Sequence, residues 1–238
     1  MSENTIVPYF LDDKKRDMAL IFPGGAYKYT SWREGGPVAE KFNGIGWHAA
    51  VCKYRNRLSC YPEIAEEVEG LIKELRKDER INRIIMVGFS AGGHLALLLM
   101  TRNPRGYSGG VMGYPVVLTS GEYSHKESID ALTGKDPDGS KHEDVDIIEH
   151  ISKDMPPLFV WHTLDDQAVP VENSFCLAKA MRDKKRPIEL HVFPKGKHGL
   201  SLATEETPFF GDNPQKFARE NQHVSEWFGI MKKWLDTI

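Results

Sequence analysis

Val87-Gly88-Phe89-Ser90-Ala91-Gly92-Gly93-His94 decides the fold of this chain. The apolar run Ile84-Ile85-Met86-Val87 before it reads as a buried strand, and Leu95-Ala96-Leu97-Leu98-Leu99-Met100 after it reads as a buried helix. Between them Gly88, Ser90 and Gly92 fill the three fixed places of G-x-S-x-G. A serine that must attack a carbonyl is lifted onto a sharp turn between strand and helix, and small residues two before and two after it let neighbouring backbone pass close by. The helix that begins there aims backbone N–H groups and the positive end of its dipole at the same place. The plainer alternative is a glycine-rich turn with an idle serine, so the rest of the chain has to supply partners.

The totals set bounds on class. The chain has 238 residues, enough for a sizeable core, and strands and helices alternate with no repeat and no linker, which predicts one domain over 1–238. Hydrophobic residues make up 40% and charged residues 27%, an ordinary globular balance. A formal net charge of -3 leaves no basic footprint for nucleic acid and no polybasic membrane patch. The 9 histidines are scattered without a metal-ligand spacing, so no metal site is expected. Cys52, Cys60 and Cys176 form no C-x-x-C pair, which implies neither a disulfide framework nor a zinc site. Met1-Ser2-Glu3-Asn4 lacks the basic and apolar regions of a signal peptide, and no apolar run reaches the ~18 residues of a membrane span. A cytoplasmic location is the expectation.

Taken in order, Ile6 to Leu11 suits a first strand. Met18-Ala19-Leu20-Ile21-Phe22 is a continuous apolar run, as a central strand buried on both faces requires, and it ends at Pro23-Gly24-Gly25-Ala26-Tyr27. Two glycines there let the backbone fold back with its N–H groups exposed; an ordinary strand-ending turn is the alternative. Pro37 to Phe42 reads as a short helix and Trp47 to Tyr54 as a strand. Tyr61-Pro62 opens a helix in which Ile64, Val68, Leu71, Ile72 and Leu75 make one apolar stripe. Gly109 to Tyr114 is a further strand. From 118 to about 156 the rhythm fails among charges such as Asp136-Pro137-Asp138-Gly139-Ser140, which predicts an irregular, lid-like insertion with at most a short helix near Asp146 to Ser152. Pro157 to His162 and Ile188 to Phe193 are the last strands, the second alternating as at a sheet edge. Between them Val171 to Asp183 is a helix, with Val171, Phe175, Leu177, Ala178 and Met181 as inward candidates. A polar loop over Gly199 to Gln222 leads to a closing helix that buries Trp227, Phe228, Met231, Trp234 and Leu235. This alternation predicts a mainly parallel sheet of about six to eight strands with helices on both faces.

A serine hydroxyl becomes a useful nucleophile when a base lies within hydrogen-bond reach and an acid orients that base. The loop after the Pro157–His162 strand, Thr163-Leu164-Asp165-Asp166-Gln167-Ala168-Val169-Pro170, offers two adjacent carboxylates. The loop after the last strand, Pro194-Lys195-Gly196-Lys197-His198-Gly199, offers one histidine between glycines. Three such loops in the order serine, acid, histidine, each directly after a strand, are far more specific than any one alone.

Phe22 to Tyr27, Gly88 to Gly93, Asp154-Met155-Pro156-Pro157 through Thr163, and Asp165 to Ser174 together resemble the α/β-hydrolase esterases. The similarity is strongest to the small acetyl esterases related to acetylxylan and other carbohydrate esterases, and it spans nearly the whole chain. It implies an α/β-hydrolase fold, with Ser90 as nucleophile and His198 as base. In the family pattern H-G-x-x-D-x-x-V-P the acid stands four residues after the histidine and three before the valine, which falls on Asp166, with Asp165 as the alternative; Thr163 replaces the glycine. The implied oxyanion donors are the backbone N–H groups of Gly25, Ala26 and Ala91. Related enzymes carry H-G-G-G where this chain has Pro23-Gly24-Gly25-Ala26, so the donor pair is left open.

The activity so implied is hydrolysis of short-chain, chiefly acetyl, carboxylic esters through an acyl-enzyme, with acetylated sugars or xylo-oligosaccharides on the alcohol side. It needs no metal or organic cofactor. The partner is a small-molecule ester, with no nucleic acid and no membrane, and homo-oligomerisation is left open. Tyr27, Trp32, Arg33 and Tyr123 are candidates for the substrate pocket, and the stretch Trp32-Arg33-Glu34 either lines that pocket or forms a surface ion pair. His94, His162 and His191 read as packed, structural histidines. An acylaminopeptidase-like peptidase, a thioesterase or a binding protein on an inactive hydrolase fold are the rival readings.

Overall fold

A computed structural model describes residues 4–54, 61–134 and 140–238. Cys60 and the charged stretch 135–139 lie outside the described residues. The strands are β1 (Thr5–Tyr9), β2 (Arg16–Phe22), β3 (His48–Lys53), β4 (Ile81–Phe89), β5 (Gly109–Gly113), β6 (Leu158–Thr163) and β7 (Ile188–Phe193). They form a 7-stranded sheet in the order β1-β3-β2-β4-β5-β6-β7. β1 runs antiparallel to β3, and every other neighbouring pair is parallel. Parallel strands need crossovers, and helices supply them: α1 (Gly36–Asn43), α2 (Glu63–Leu75), α3 (Ala91–Arg102), α4 (Lys126–Thr133), α5 (Ser140–Asp144), α6 (Ile147–His150) and α7 (Glu172–Asp183), with α8 (Pro214–Glu220), α9 (Gln222–Ser225) and α10 (Trp227–Leu235) after the last strand.

The period of two along each strand sends alternate side chains to opposite faces. In β2, Met18, Leu20 and Phe22 join one core with α2, α3 and α7, while Ala19 and Ile21 join the other with α1 and α10. The central strands are therefore wet on neither face, which is why they read as unbroken apolar runs. β7 is one of the two edge strands, and its residues are only half-buried, as its alternation predicts. Among the described residues no helix is long and apolar enough to cross a membrane.

Three expectations are corrected. Residues 118–156 are not irregular throughout: α4, α5 and α6 lie there, and Ile129, Ala131, Leu132, Val145, Ile147 and Ile151 are buried. The helices are only one or two turns long, too short to display a period. The loop over 199–222 contains α8, started by Asn213, whose side chain accepts from the Lys216 N–H. Phe175, expected to face inward on α7, is 44% exposed and Ala178 is only partly covered, while Asn173 and Ser174 are buried. Asn173 turns in because its side chain accepts from the N–H groups of Val117 and Leu118 and donates to the carbonyls of Tyr123 and Pro170. That polar tie outweighs the apolar periodicity.

Candidate active site

The turns that follow β2, β4, β5, β6 and β7 all leave the sheet at its C-terminal edge, so residues far apart in sequence meet there. β4 delivers Ser90, whose backbone stands at φ 53 and ψ -124, outside the ordinary regions for a side-chain-bearing residue. The flanking glycines make that turn achievable. A Cβ on Gly92 would lie 2.1 Å from the Phe22 carbonyl oxygen, and one on Gly88 would lie 2.6 Å from the Gly93 Cα. Backbone packed this closely pins the turn: the Ser90 N–H donates to Gly113 O, and Ser90 O accepts from the His94 and Val116 N–H groups.

His198 meets Ser90 from the loop after β7. Its Nε2 lies 2.9 Å from Ser90 Oγ and its Nδ1 lies 2.7 Å from Asp166 Oδ2. A carboxylate only accepts, so Nδ1 carries the proton and Nε2 is left to accept from the serine hydroxyl. Asp166 is buried, and its Oδ1 accepts from the N–H groups of Ala168 and Val169 at 2.9 and 3.0 Å. Burial alone would raise its pKa; the hydrogen bonds from His162 and His198 outweigh burial and hold the carboxyl well below the usual carboxylate range. Asp165, one residue earlier, points elsewhere: its Oδ1 accepts from the Gly196 N–H at 2.7 Å.

The turn after β2 lies beside Ser90. A Cβ on Gly25, at φ 133, would fall 2.0 Å from the Tyr29 carbonyl oxygen, so only glycine fits there. Ala26 and Tyr27 follow at φ 53 and 57, a left-handed pair that turns the backbone outward. Among the described residues, no carbonyl accepts the N–H of Gly25, Ala26 or Ala91. A cleft of about 500 Å³ is lined by Gly25 and Ala26 together with Ser90 and His198. Its mouth carries the rings of Tyr29, Trp32 and Phe210, all exposed. A wider hollow of about 920 Å³ continues on the far side of His198, over Leu200, Phe209 and Phe217.

The pocket candidates separate. Trp32 stands at the cleft. Tyr27 does not: it is fully buried, because its hydroxyl donates to His94 Nδ1 at 2.7 Å, while His94 Nε2 donates to Val145 O at 3.0 Å. Burial lowers the His94 pKa to about 4, so this histidine is a neutral strut under the turn. Tyr123 lines a smaller hollow with Leu164 and Phe175 outside the Ser90 cleft. Arg33 lines the Ser90 cleft, as expected, and among the described residues it makes no surface ion pair. Its guanidinium is buried, donates to the Thr207 and Gly199 carbonyls, and stacks 4.1 Å over Phe209. His162 is buried as a structural group: its Nε2 N–H is shared between Val169 O at 2.9 Å and Asp166 Oδ2 at 3.4 Å, and its Nδ1 accepts from the Ser174 hydroxyl. His191 pairs with Glu189 on the edge strand.

One site residue escapes sequence reasoning. His125, ahead of α4, lines the Ser90 cleft, with Nδ1 bonded to Ser128 Oγ; burial and the nearby His198 lower its pKa. Glu34, read with Trp32 and Arg33 as a pocket wall or a surface ion pair, is buried under the turn and lines the cleft. Among the described residues no cluster of His, Cys, Asp and Glu could hold a metal ion.

Comparison with known proteins fits this geometry. The model of the prolyl oligopeptidase family matches residues 40–227. Endo-1,4-beta-xylanase B of Butyrivibrio fibrisolvens is 33% identical over 218 residues, 82% of this chain and 34% of that protein. The acetylxylan esterase of Xylanibacter ruminicola is 28% identical over 211 residues, 82% of this chain and 43% of that protein. The chain thus spans less than half the length of each of these relatives. Among solved structures, an acetyl ester-xyloside bifunctional hydrolase from Caldicellulosiruptor lactoaceticus superposes with a TM-score of 0.84 at 34% identity, covering 98% of this chain and 88% of that one. A carboxylesterase from Lactobacillus plantarum gives 0.79 at 26% identity, covering 98% and 91%. The fold is that of the α/β hydrolases.

Proposed function

This chain belongs to the prolyl oligopeptidase family, and from that premise we propose that it is a serine esterase that hydrolyses short-chain, chiefly acetyl, carboxylic esters through an acyl-enzyme. The observation that carries the proposal is the relay from Ser90 Oγ through His198, 2.9 Å on one side, to Asp166, 2.7 Å on the other. Ser90 attacks the ester carbonyl as His198 Nε2 takes its proton. Asp166 keeps the ring in the tautomer that accepts at Nε2 and stabilises the charged ring that forms. The oxyanion that develops is met by backbone N–H groups from Ala91 and from Gly25 or Ala26, which no carbonyl accepts among the described residues. His198 returns the proton to the leaving alcohol, and water attacks the acyl-enzyme by the same route in reverse.

The short-acyl preference rests on the cleft. Its lining is mostly polar, with Thr30, Ser31, Arg33, Glu34, His125 and Glu127 beside exposed backbone, and three of its four large rings, Tyr29, Trp32 and Phe210, are exposed to solvent. Exposed rings beside a polar floor suit a flat, hydroxyl-bearing alcohol. That agrees with the xylan-related names of the relatives and makes an acetylated sugar the favoured substrate. The family's name supports a second reading, hydrolysis of a peptide bond by the same machinery.

One panel tests these readings: p-nitrophenyl acetate, butyrate and octanoate, an acetylated xylo-oligosaccharide and an aminoacyl p-nitroanilide, with a fluorophosphonate probe and Ser90→Ala as control. We expect labelling of the native chain alone and acetyl turnover highest. Dominant octanoate turnover refutes the short-acyl claim, dominant anilide turnover favours the peptidase, and equal labelling of both chains refutes the nucleophile.

A further inference from the structure

Resting on the esterase reading above, we infer that Glu34 is a positioning residue that locks the turn after β2 and the His198 loop into one unit. Glu34 ends a short 3-10 turn, Trp32–Glu34, and is 3% exposed. Each of its two oxygens has a separate partner. Oε2 accepts from the Gly24 N–H at 2.7 Å, and Oε1 accepts from the Tyr114 hydroxyl at 2.6 Å. Gly24 directly precedes the proposed oxyanion donors. It is also wedged against the serine, since a Cβ there would lie 2.9 Å from both Glu34 Oε2 and Ser90 Cβ.

Tyr114 carries the link onward. Its ring meets the His198 ring edge to face at 5.0 Å, and its oxygen accepts from the Ser201 N–H at 2.9 Å, three residues beyond His198. Ser201 Oγ donates back to Arg33 O at 2.7 Å, and the Arg33 guanidinium donates to Gly199 O at 2.8 Å. The neighbours Arg33 and Glu34 thus hold the histidine loop by two direct contacts and a third through Tyr114, and the turn after β2 by one. The donor-bearing backbone and the imidazole come from opposite halves of the chain, so their spacing depends on something that touches both. The Glu34 carboxylate touches the first directly and the second through a single phenol. Burial pushes the Tyr114 hydroxyl well above its ordinary pKa, and the neighbouring carboxylate adds to this, so it stays a donor to Glu34 over the working pH range.

Glu34→Gln and Tyr114→Phe test this. An amide accepts through one oxygen only, so in the first variant either Gly24 N–H or Tyr114 O–H loses its acceptor. The second variant keeps the ring on His198 and removes the bond between the two loops. The readout is kcat per fluorophosphonate-titrated site together with KM on p-nitrophenyl acetate, which removes any misfolded fraction from the comparison. We expect kcat to fall about 10- to 100-fold in Glu34→Gln and about 5- to 20-fold in Tyr114→Phe, with KM within about threefold. The double variant should lose no more than the worse single one, since both cut one link. Native kcat per titrated site in both single variants overturns the inference, as does a loss that appears only in KM. If the native chain itself fails to label, the esterase reading has failed instead.

Discussion

The two oxygens of Asp166 are divided between catalyst and scaffold: Oδ2 lies 2.7 Å from His198 Nδ1, while Oδ1 accepts from the Ala168 and Val169 N–H groups. Asp166→Asn keeps the oxygen that caps the loop but presents an N–H to His198. The ring then has to accept at Nδ1 and hold its proton on Nε2, where it no longer takes one from Ser90. We expect kcat to fall roughly 10³- to 10⁴-fold with the fold retained. Asp165→Asn disturbs only the bond to the Gly196 N–H, and should cost no more than about tenfold. Steady-state kinetics on both variants, with circular dichroism as the fold control, assigns the acid; equal losses exclude a unique role for Asp166.

His94 makes acid stability predictable in sign. Its folded pKa of about 4 lies below the roughly 6.5 of an unfolded histidine, so the unfolded chain binds the extra proton first as pH falls. The neutral strut contributes its full stability above pH ~6.5 and loses it progressively toward pH 4, a change on the order of 3 kcal/mol. Urea unfolding of native chain and His94→Gln at pH 7.5 and 4.5 reads this directly. The variant should start less stable and change less between the two pH values; parallel losses in both proteins remove His94 as the source.

The outcome shows what sequence can carry. The central strands were legible because burial on both faces leaves continuous apolar runs in β2, β4 and β6. Ser90 and His198 stood out because each follows a strand in a glycine-bearing turn, whereas Asp166 was separable from Asp165 only through the register of a resemblance. Tyr27 looked like a pocket residue because it ends the turn after β2, but its hydroxyl is used by a buried histidine 67 positions away. The sequence places Glu34 near the pocket but not its role: its partners Gly24 and Tyr114 follow separate strands, and nothing periodic marks a carboxylate satisfied by a distant phenol. Local patterns reveal elements and their punctuation, while long-range polar pairing appears only in the packed chain.

Two glycine-to-alanine changes should move stability in opposite directions. On Gly92 a methyl meets the carbonyl oxygens of Phe22 and Pro23 at 2.1 and 2.4 Å, backbone atoms that cannot step aside without moving the turn after β2. We expect Gly92→Ala to cost about 3 kcal/mol or more and to abolish labelling of Ser90. On the exposed side of α2, a methyl on Gly70 meets nothing within 4 Å. Gly70→Ala should add about 0.5–1 kcal/mol by removing unfolded-chain freedom and improving helix propensity. Thermal unfolding of the two variants beside the native chain checks both signs.

Trp32 is the residue through which the alcohol side of the substrate should be read. It is 64% exposed at the mouth of the Ser90 cleft, held there by a 3-10 turn whose next two residues, Arg33 and Glu34, are buried. A large ring left in water beside the proposed nucleophile has surface to offer a substrate and no evident packing role. If a sugar ring covers roughly 60 Å² of it, the contact is worth about 1.5 kcal/mol, or about tenfold in affinity. Trp32→Ala should therefore raise KM about tenfold for an acetylated xylo-oligosaccharide and leave p-nitrophenyl acetate kinetics within about twofold, with little change in thermal stability. Equal effects on both substrates place Trp32 in the scaffold. No effect on either moves the alcohol side to the wider hollow beyond His198, where Phe209→Ala becomes the variant that discriminates.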